Sequence, residues 1–473
     1  MVRSCKILCC CFTLTICLAA PALSASSKAE YQGPQLTAGG MQGATDVVPS
    51  TLSIEDAIRI ALEYNPQVSA SAEGINVSRG IVNQAVSFLM PRVDVEATRS
   101  TPVDLPSFSF QSPDSSWETT FSFVQPLYTG GGLRAGAKAA KDLLLGSEGD
   151  YHRTQQEIAF AVRGGYYAVL AAEEQVAVAR QVLDSALETL RVARLRYEAG
   201  VAPQFDVLSA EARVARTEQS LIAAEVLRDT VWATLSTTLG VPIPAGTQLT
   251  TPRPATVEEA DPIALRAEGL ANRPDLLSAK ASSSAARAEL NVAKAGRYPS
   301  ISAVAGYTLR EQVTVDGEAF GDPGTDIVVS QNSGFISLSA SWSLFNAGQV
   351  QGEIDAAEAR LRQANDSVTA LEQQVELEVR SAYLAVAAAK AQVDAARKEV
   401  AQQEEAYRIA TIRYQEGVGT SVEILSAEAD LEDAKTRLNR AIFDLNLAVA
   451  ELDLALGRNT LPPGALSEED TGE

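Results

Sequence analysis

The chain has 473 residues and sets 39 Lys and Arg against 60 Asp and Glu, a formal charge of -21. That acidic balance argues against nucleic-acid binding, which requires a basic surface. All five cysteines (Cys5, Cys9, Cys10, Cys11 and Cys17) lie near the N-terminus and His152 is the only histidine, so no zinc cluster, thiol chemistry or histidine-based triad is expected in the body of the chain.

Taken in order, residues 1–25 read as a cleaved secretory signal: Arg3 and Lys6, the apolar run Ile7 to Ala20, then small residues at Ala22, Ser24 and Ala25. No lipobox surrounds Cys17. Residues 26–51 follow as an N-terminal segment. Beyond the signal no uninterrupted apolar stretch approaches the roughly 20 residues of a membrane helix, so any crossing must use strands.

A first repeat spans 52–240. It opens with SIEDAIRIALEYNP and a helical stretch from Pro66 to about Met90. A β-hairpin is expected over 91–128, where Val93, Val95 and Ala97, then Trp117, Thr119, Phe121 and Phe123, alternate with polar residues. Thr129 to Gly136 holds four glycines, but no Gly-Lys-Ser/Thr follows, so a strand-to-helix turn explains them better than a phosphate loop. A long helix is expected over 132–199, free of proline, with Val162, Val169, Val176, Leu183, Leu190 and Tyr197 recurring every seven residues beside Ala172, Ala179, Ala186 and Ala193. A sustained seven-residue row keeps one seam toward a partner helix. At a rise of 1.5 Å such a run reaches roughly 100 Å, far beyond a typical globular helix. His152 is expected on the surface near its start. A glycine turn at Gly200 leads to a return helix, 203–239, about half as long, so the two shorter helices would stack end to end beside the long one.

After a proline- and threonine-rich linker, 241–261, the pattern is written again over 262–457, ahead of an acidic tail, 458–473. Asn65-Pro66 recurs as Arg273-Pro274, and Met90-Pro91 as Tyr298-Pro299, 208 positions later. From Leu127 onward the offset is 217: Leu127-Tyr128-Thr129-Gly130-Gly131 matches Leu344-Phe345-Asn346-Ala347-Gly348, and Val207 to Ala212 matches Ile424 to Ala429. The second hairpin is expected over 299–345, with Ile336, Leu338, Ala340, Trp342 and Leu344 alternating with serines. A long helix over 349–416 and a return helix over 420–456 complete it. The return helix carries Leu431, Leu438, Leu445 and Leu452, flanked by Ala434, Ala441, Ala448 and Ala455.

Polar–apolar alternation over about ten residues is the signature of a transmembrane barrel strand, though a half-buried soluble hairpin shares it. Four strands cannot close a barrel in lipid without leaving edge groups unpaired, so a membrane-inserted chain must associate with copies of itself.

The opening SIEDAIRIALEYNP, the strand exits PLYTGG and SLFNAG, and the pair RYEAGVAPQFDVLSAEA and RYQEGVGTSVEILSAEA resemble the TolC family of outer-membrane factors, from about Leu52 to Gly457. The resemblance implies a mainly α protein with a transmembrane β-barrel, four strands per chain and twelve in a homotrimer, continued by a coiled-coil-like α-helical periplasmic barrel. An equatorial belt would include Gly240 to Pro274. The implied function is a passive exit duct through the Gram-negative outer membrane, part of a tripartite efflux or type I secretion system, with neither enzymatic activity nor cofactor. The implied partners are outer-membrane lipid, a periplasmic adaptor (membrane fusion protein) and an inner-membrane transporter of the RND or ABC type. By position, the adaptor would dock at Gly200, Val201, Gly417, Val418, Gly419 and Thr420. Tyr197 and Tyr414 would constrict a gate, and Asp206 and Glu423 would form an acidic ring attracting cations. Trp117 and Trp342 suit the interfacial aromatic girdle. Gly419 and Ser426 depart from some relatives, which carry a basic gate residue and a second acid there, so a charge-locked closure is expected to be weaker. Two alternatives stay open: a periplasmic coiled-coil adaptor or scaffold, which would share the seven-residue rows but lack the four strands, and a self-sufficient porin, which would have many more strands and fewer helices.

Overall fold

The structure, a computed structural model, describes residues 48–100, 116–251, 261–310, 313–315, 327–329 and 332–458; the expected signal and acidic tail lie outside them, apart from Arg458. Its helices carry the duplication. Each repeat begins with two short helices, α1 (Ile54–Tyr64) and α2 (Pro66–Ser87), or α5 (Pro262–Asn272) and α6 (Pro274–Ala295). Ser53 starts α1, its hydroxyl accepting the Asp56 N–H at 3.1 Å. Asn65 starts α2 by accepting the Gln67 N–H at 2.8 Å, with Pro66 at the first helical position, where its missing N–H is harmless. The long helices α3 (Gly132–Glu198) and α7 (Gln349–Gln415) each run 67 residues, and the return helices are α4 (Gln204–Leu239) and α8 (Ser421–Ala455).

The short helices abut end to end along the long ones. Gly240, with φ of +78°, closes α4 against the start of α2, and a Cβ there would lie 2.5 Å from the Tyr64 carbonyl oxygen. Gly457, with φ of +66°, does the same for α8 against α6, with a Cβ 2.8 Å from the Asn272 carbonyl oxygen. Only glycine meets both demands, a left-handed backbone and no side chain. Val162, Val169, Val176 and Leu190, with Ala172, Ala179, Ala186 and Ala193, are buried along α3, as are Val379, Val386 and Val393 with Ala389 and Ala396 along α7.

The largest core gathers about fully buried Tyr166 at mid-length of α3, with Leu52, Ala57, Ile58, Val162, Val169, Leu235 and Leu239. The Tyr166 hydroxyl donates toward the carbonyls of Leu52 at 2.8 Å and Thr250 at 2.6 Å, and burial pushes its phenol up to about 12. It thereby pins a small parallel pair, β1 (Thr51–Leu52) and β4 (Gln248–Leu249), to the helices. His152 is half-buried against Tyr151 and Gln155, not on the surface as expected: nearby Gly149 lies against the start of α6, which covers α3 at this level.

The main sheet has the order β2 (Arg92–Ser100), β3 (Ser116–Thr129), β5 (Ser300–Arg310), β8 (Ser333–Ser341), every neighbour antiparallel. A separate short hairpin joins β6 (Val313–Val315) to β7 (Ile327–Val329). The alternation in the second hairpin runs to Leu344, but β8 ends at Ser341. The cause is its partner: Ser341 pairs Ser300, the first residue of β5, so Trp342 onward has no neighbouring strand among the described residues. Trp117 and Trp342 are both exposed and lie at opposite ends of the sheet, Trp117 beneath the Arg99 guanidinium and Trp342 donating its indole N–H to the Arg297 carbonyl at 3.1 Å.

Candidate functional site

The helix tips are two copies of one turn. At the end of α3, Gly200 takes φ of +73° and the N–H of Val201 reaches back to the Arg196 carbonyl at 3.0 Å; at the end of α7, Gly417 takes φ of +77° and the N–H of Val418 reaches the Arg413 carbonyl at 3.0 Å. This left-handed cap satisfies the last carbonyls of each helix. It presents Val201 and Val418 to solvent, 67% and 70% exposed. Gly419 donates to the Arg413 carbonyl at 2.8 Å, and a Cβ there would sit 3.0 Å from the Tyr414 nitrogen. A larger residue at this position would have to shift this turn. Thr420 caps α8, its hydroxyl accepting the Glu423 N–H at 3.2 Å.

Behind the turns a polar seam fastens the first hairpin of helices to the second. Arg196 on α3 donates to the Tyr414 carbonyl at 2.6 Å and lays its guanidinium 4.7 Å from the centre of the Tyr414 ring. Tyr414 is 3% exposed and its hydroxyl has no hydrogen-bond partner. Burial raises its phenol above the ordinary value, Arg196 opposing and Asp206 adding to the rise. Asp206, half-buried on α4, accepts the Ser421 hydroxyl from α8 at 2.8 Å. Two turns further up, Arg213 on α4 donates to Glu432 on α8 at 2.8 Å, while its Nε lies 3.9 Å from Glu428.

Glu428 is the anomaly of the seam. It is 3% exposed, and neither carboxylate oxygen has a hydrogen bond. One arginine faces two carboxylates, so one negative charge is left over in a buried place, which a proton removes at less expense than ionisation. Burial pushes the Glu428 carboxyl up to about 7, with Arg213 opposing and Glu432 adding to the rise.

Of the expected gate residues, the structure brings Tyr414 and Asp206 together within the seam. Tyr197 stays exposed, as does Glu423, whose carboxylate lies 3.6 Å from Arg413. Arg196, Arg213, Ser421, Glu428 and Glu432 were not singled out in the sequence. One signal was in plain sight, since Arg196 and Arg413 precede the two tyrosines in the repeated RYEAG and RYQEG. No group of three or more His, Cys, Asp or Glu that could hold a metal occurs among the described residues, and no described helix is long and apolar enough to cross a membrane.

The chain matches the family described as outer membrane efflux protein over residues 57–241 and 265–458. It is similar to the pyoverdine export outer membrane protein OpmQ of Pseudomonas aeruginosa, 26% identical over 66% of this chain and 64% of that one, just under two thirds of that relative's length. It is also similar to the toluene efflux pump outer membrane protein TtgF of Pseudomonas putida, 27% identical over 80% of this chain and 77% of that one. Among solved structures, the outer membrane protein VceC of Vibrio cholerae superposes with a TM-score of 0.69 at 21% identity, covering 85% of this chain and 96% of that one. CusC gives 0.72 at 18% identity, covering 85% and 92%. At these identities the structural likeness speaks to the fold.

Proposed function

As the chain belongs to the outer membrane efflux protein family, we propose that three copies close a twelve-stranded barrel in the outer membrane and continue it into the periplasm as a helical exit duct. The observation that carries this reading is the four-stranded sheet, whose edge strands β2 and β8 expose all nine of their residues each. Hydrocarbon does not tolerate such unpaired backbone. Because four antiparallel strands alternate in direction, the two edges run oppositely, and β2 of a sister chain can join β8 as a further antiparallel neighbour. A cyclic, head-to-tail arrangement then closes without a free edge; the number three comes from the family resemblance. Helices of 67 residues reach roughly 100 Å, several times the roughly 30 Å of the hydrocarbon core. Trp117 and Trp342 mark the two ends of the barrel, where interfacial aromatics settle.

At the far end, a periplasmic adaptor docks on the turns at Gly200, Val201, Gly417, Val418, Gly419 and Thr420, with Val201 and Val418 as apolar anchors. Tyr197, which is exposed, narrows the entrance, Tyr414 fastens the seam behind it, and Asp206 and Glu423 give it a cation-attracting rim. An inner-membrane transporter energises the export. The cargo is a small molecule, as the names of the relatives for pyoverdine and toluene export favour, with protein secretion as the lesser use. Deleting the gene should sensitise cells to solvents, dyes or antibiotics, with restoration by the wild-type chain; unchanged sensitivity without a substitute channel would overturn the efflux reading. Crosslinking from whole cells should capture an adaptor through Val201→Cys or Val418→Cys, and capture of none would remove the turns from the docking surface.

A further inference from the structure

The duplication contains more than a strand count. It specifies how one chain's bare edge should meet the next. The two hairpins use one register: moving Arg92 forward by 208 gives Ser300, and moving Val124 forward by 217 gives Ser341, and each set is a pair, Arg92 with Val124 and Ser300 with Ser341. The other end agrees, Ser100 with Ser116 becoming Thr308 with Ser333. The pairing of β3 with β5 is where the first copy meets the second. In a closed ring the second copy must meet the first copy of a neighbour, and the same shifts carry β3 onto β8 and β5 onto β2.

We infer that β8 of one protomer pairs with β2 of the next in the register that β3 and β5 already use, placing Ala340 opposite the partner subunit's Ala97. Phe123 with Ala305 is the parent of that pair, and Gln125 with Ala303 is the parent of Trp342 with the partner subunit's Val95. The inference rests on the reading that copies of the chain close the sheet; it adds which residues meet.

Two independent observations support this register. The first is face matching. Side chains alternate across a sheet, and a slip of one residue turns every apolar position to the wrong face. Here Ala340 and Trp342 meet Ala97 and Val95 of the partner subunit, while Ser339 and Ser341 meet the partner subunit's Thr98 and Glu96. Apolar meets apolar and polar meets polar, although the shifts were fixed by other residues. The second is the early end of β8. Its counterpart β3 continues from Gln125 to Thr129 because β5 lies beside it, past the bulge between Pro126 and Tyr128. The matching stretch Trp342 to Asn346 has no such neighbour among the described residues, and Trp342, Leu344 and Phe345 stand 59%, 80% and 88% exposed. A partner's β2 supplies the missing neighbour and lengthens β8 to Asn346.

Cysteine pairs in the full-length protein, oxidised in isolated outer membranes, test this directly. Ala97→Cys with Ala340→Cys should yield a ladder of covalent dimers and trimers that neither single substitution gives. The ladder should be lost when Ala340→Cys is combined with Val95→Cys, Glu96→Cys, Thr98→Cys or Arg99→Cys. Directly opposed Cβ atoms lie about 5 Å apart and diagonal ones about 7 to 8 Å. Trp342→Cys with Val95→Cys provides a second pair should the first fail to assemble. A ladder strongest at a shifted pair, or absent from both predicted pairs in a protein whose native mass is that of three chains, would overturn the register and leave the assembly standing. A native monomer in every case would overturn the assembly itself.

Discussion

Glu211 and Glu428 hold the same place in two copies of one motif, SAEA, and their surroundings are opposite. Glu211 is exposed and paired at 2.7 Å with Arg194 from the long helix of its own hairpin. In the second copy Thr411 stands where Arg194 stood, and Asp430 where Arg213 stood. Glu428 has therefore lost the arginine of its own hairpin and depends on Arg213 from the other one. The two copies diverged where they touch. An internal joint within one chain has taken on buried charge, and its equivalent on the outer side has kept a solvated pair.

Removing each arginine in turn should separate the two joints. Arg213→Leu leaves Glu428 and Glu432 facing one another without a cation, and stability measured by denaturant unfolding should fall by about 3 to 5 kcal/mol. Arg194→Leu should change it by less than about 1 kcal/mol. Equal effects would erase the distinction between the joints.

The buried carboxyl of Glu428 also makes stability depend on pH. The buried Glu428 holds its proton to about pH 7, whereas an exposed glutamate releases it near 4.3. The native state thus binds more protons than the unfolded state between those values. The group's contribution is unpenalised below the lower value, and stability falls as pH rises through the window, by up to about 3 kcal/mol, then stays level above it. Glu428→Gln should flatten that slope, as thermal unfolding at pH 4.5, 6 and 8 would show.

Tyrosines give the smaller contrasts. Tyr166→Phe strips two backbone carbonyls, of Leu52 and Thr250, of a shared donor and should destabilise by about 1 to 3 kcal/mol. Tyr414→Phe removes a buried hydroxyl that has no partner, so it should be neutral or slightly stabilising, within about 1 kcal/mol; a large loss would reveal a bond that forms in the assembly.

The long helices were legible because their determinants are local and repetitive. A row such as Val162, Val169 and Val176 has one meaning at any point along a helix, and all three are buried. The strands were legible from alternation, yet the end of β8 was not, because Trp342 and Leu344 continue the pattern beyond the neighbour that one chain supplies. Alternation reports which face a residue takes and says nothing of whether a partner strand is present. The tip turns could be located from Gly200 and Gly417, and the burial of Tyr414 beside exposed Tyr197 could not. That asymmetry depends on which hairpin of helices lies against which, as does the reach of Arg213 to Glu432 across positions far apart in the chain. Repetition made equivalent residues look alike, and tertiary contact made them different.

Whether sister chains seal the open margins of the sheet is read from the native mass of protein extracted from outer membranes in detergent, together with its conductance in a planar bilayer. Three chains in one particle that opens stepwise ion-conducting pores is the predicted result. A single chain that stays in solution without detergent and conducts no ions would contradict it.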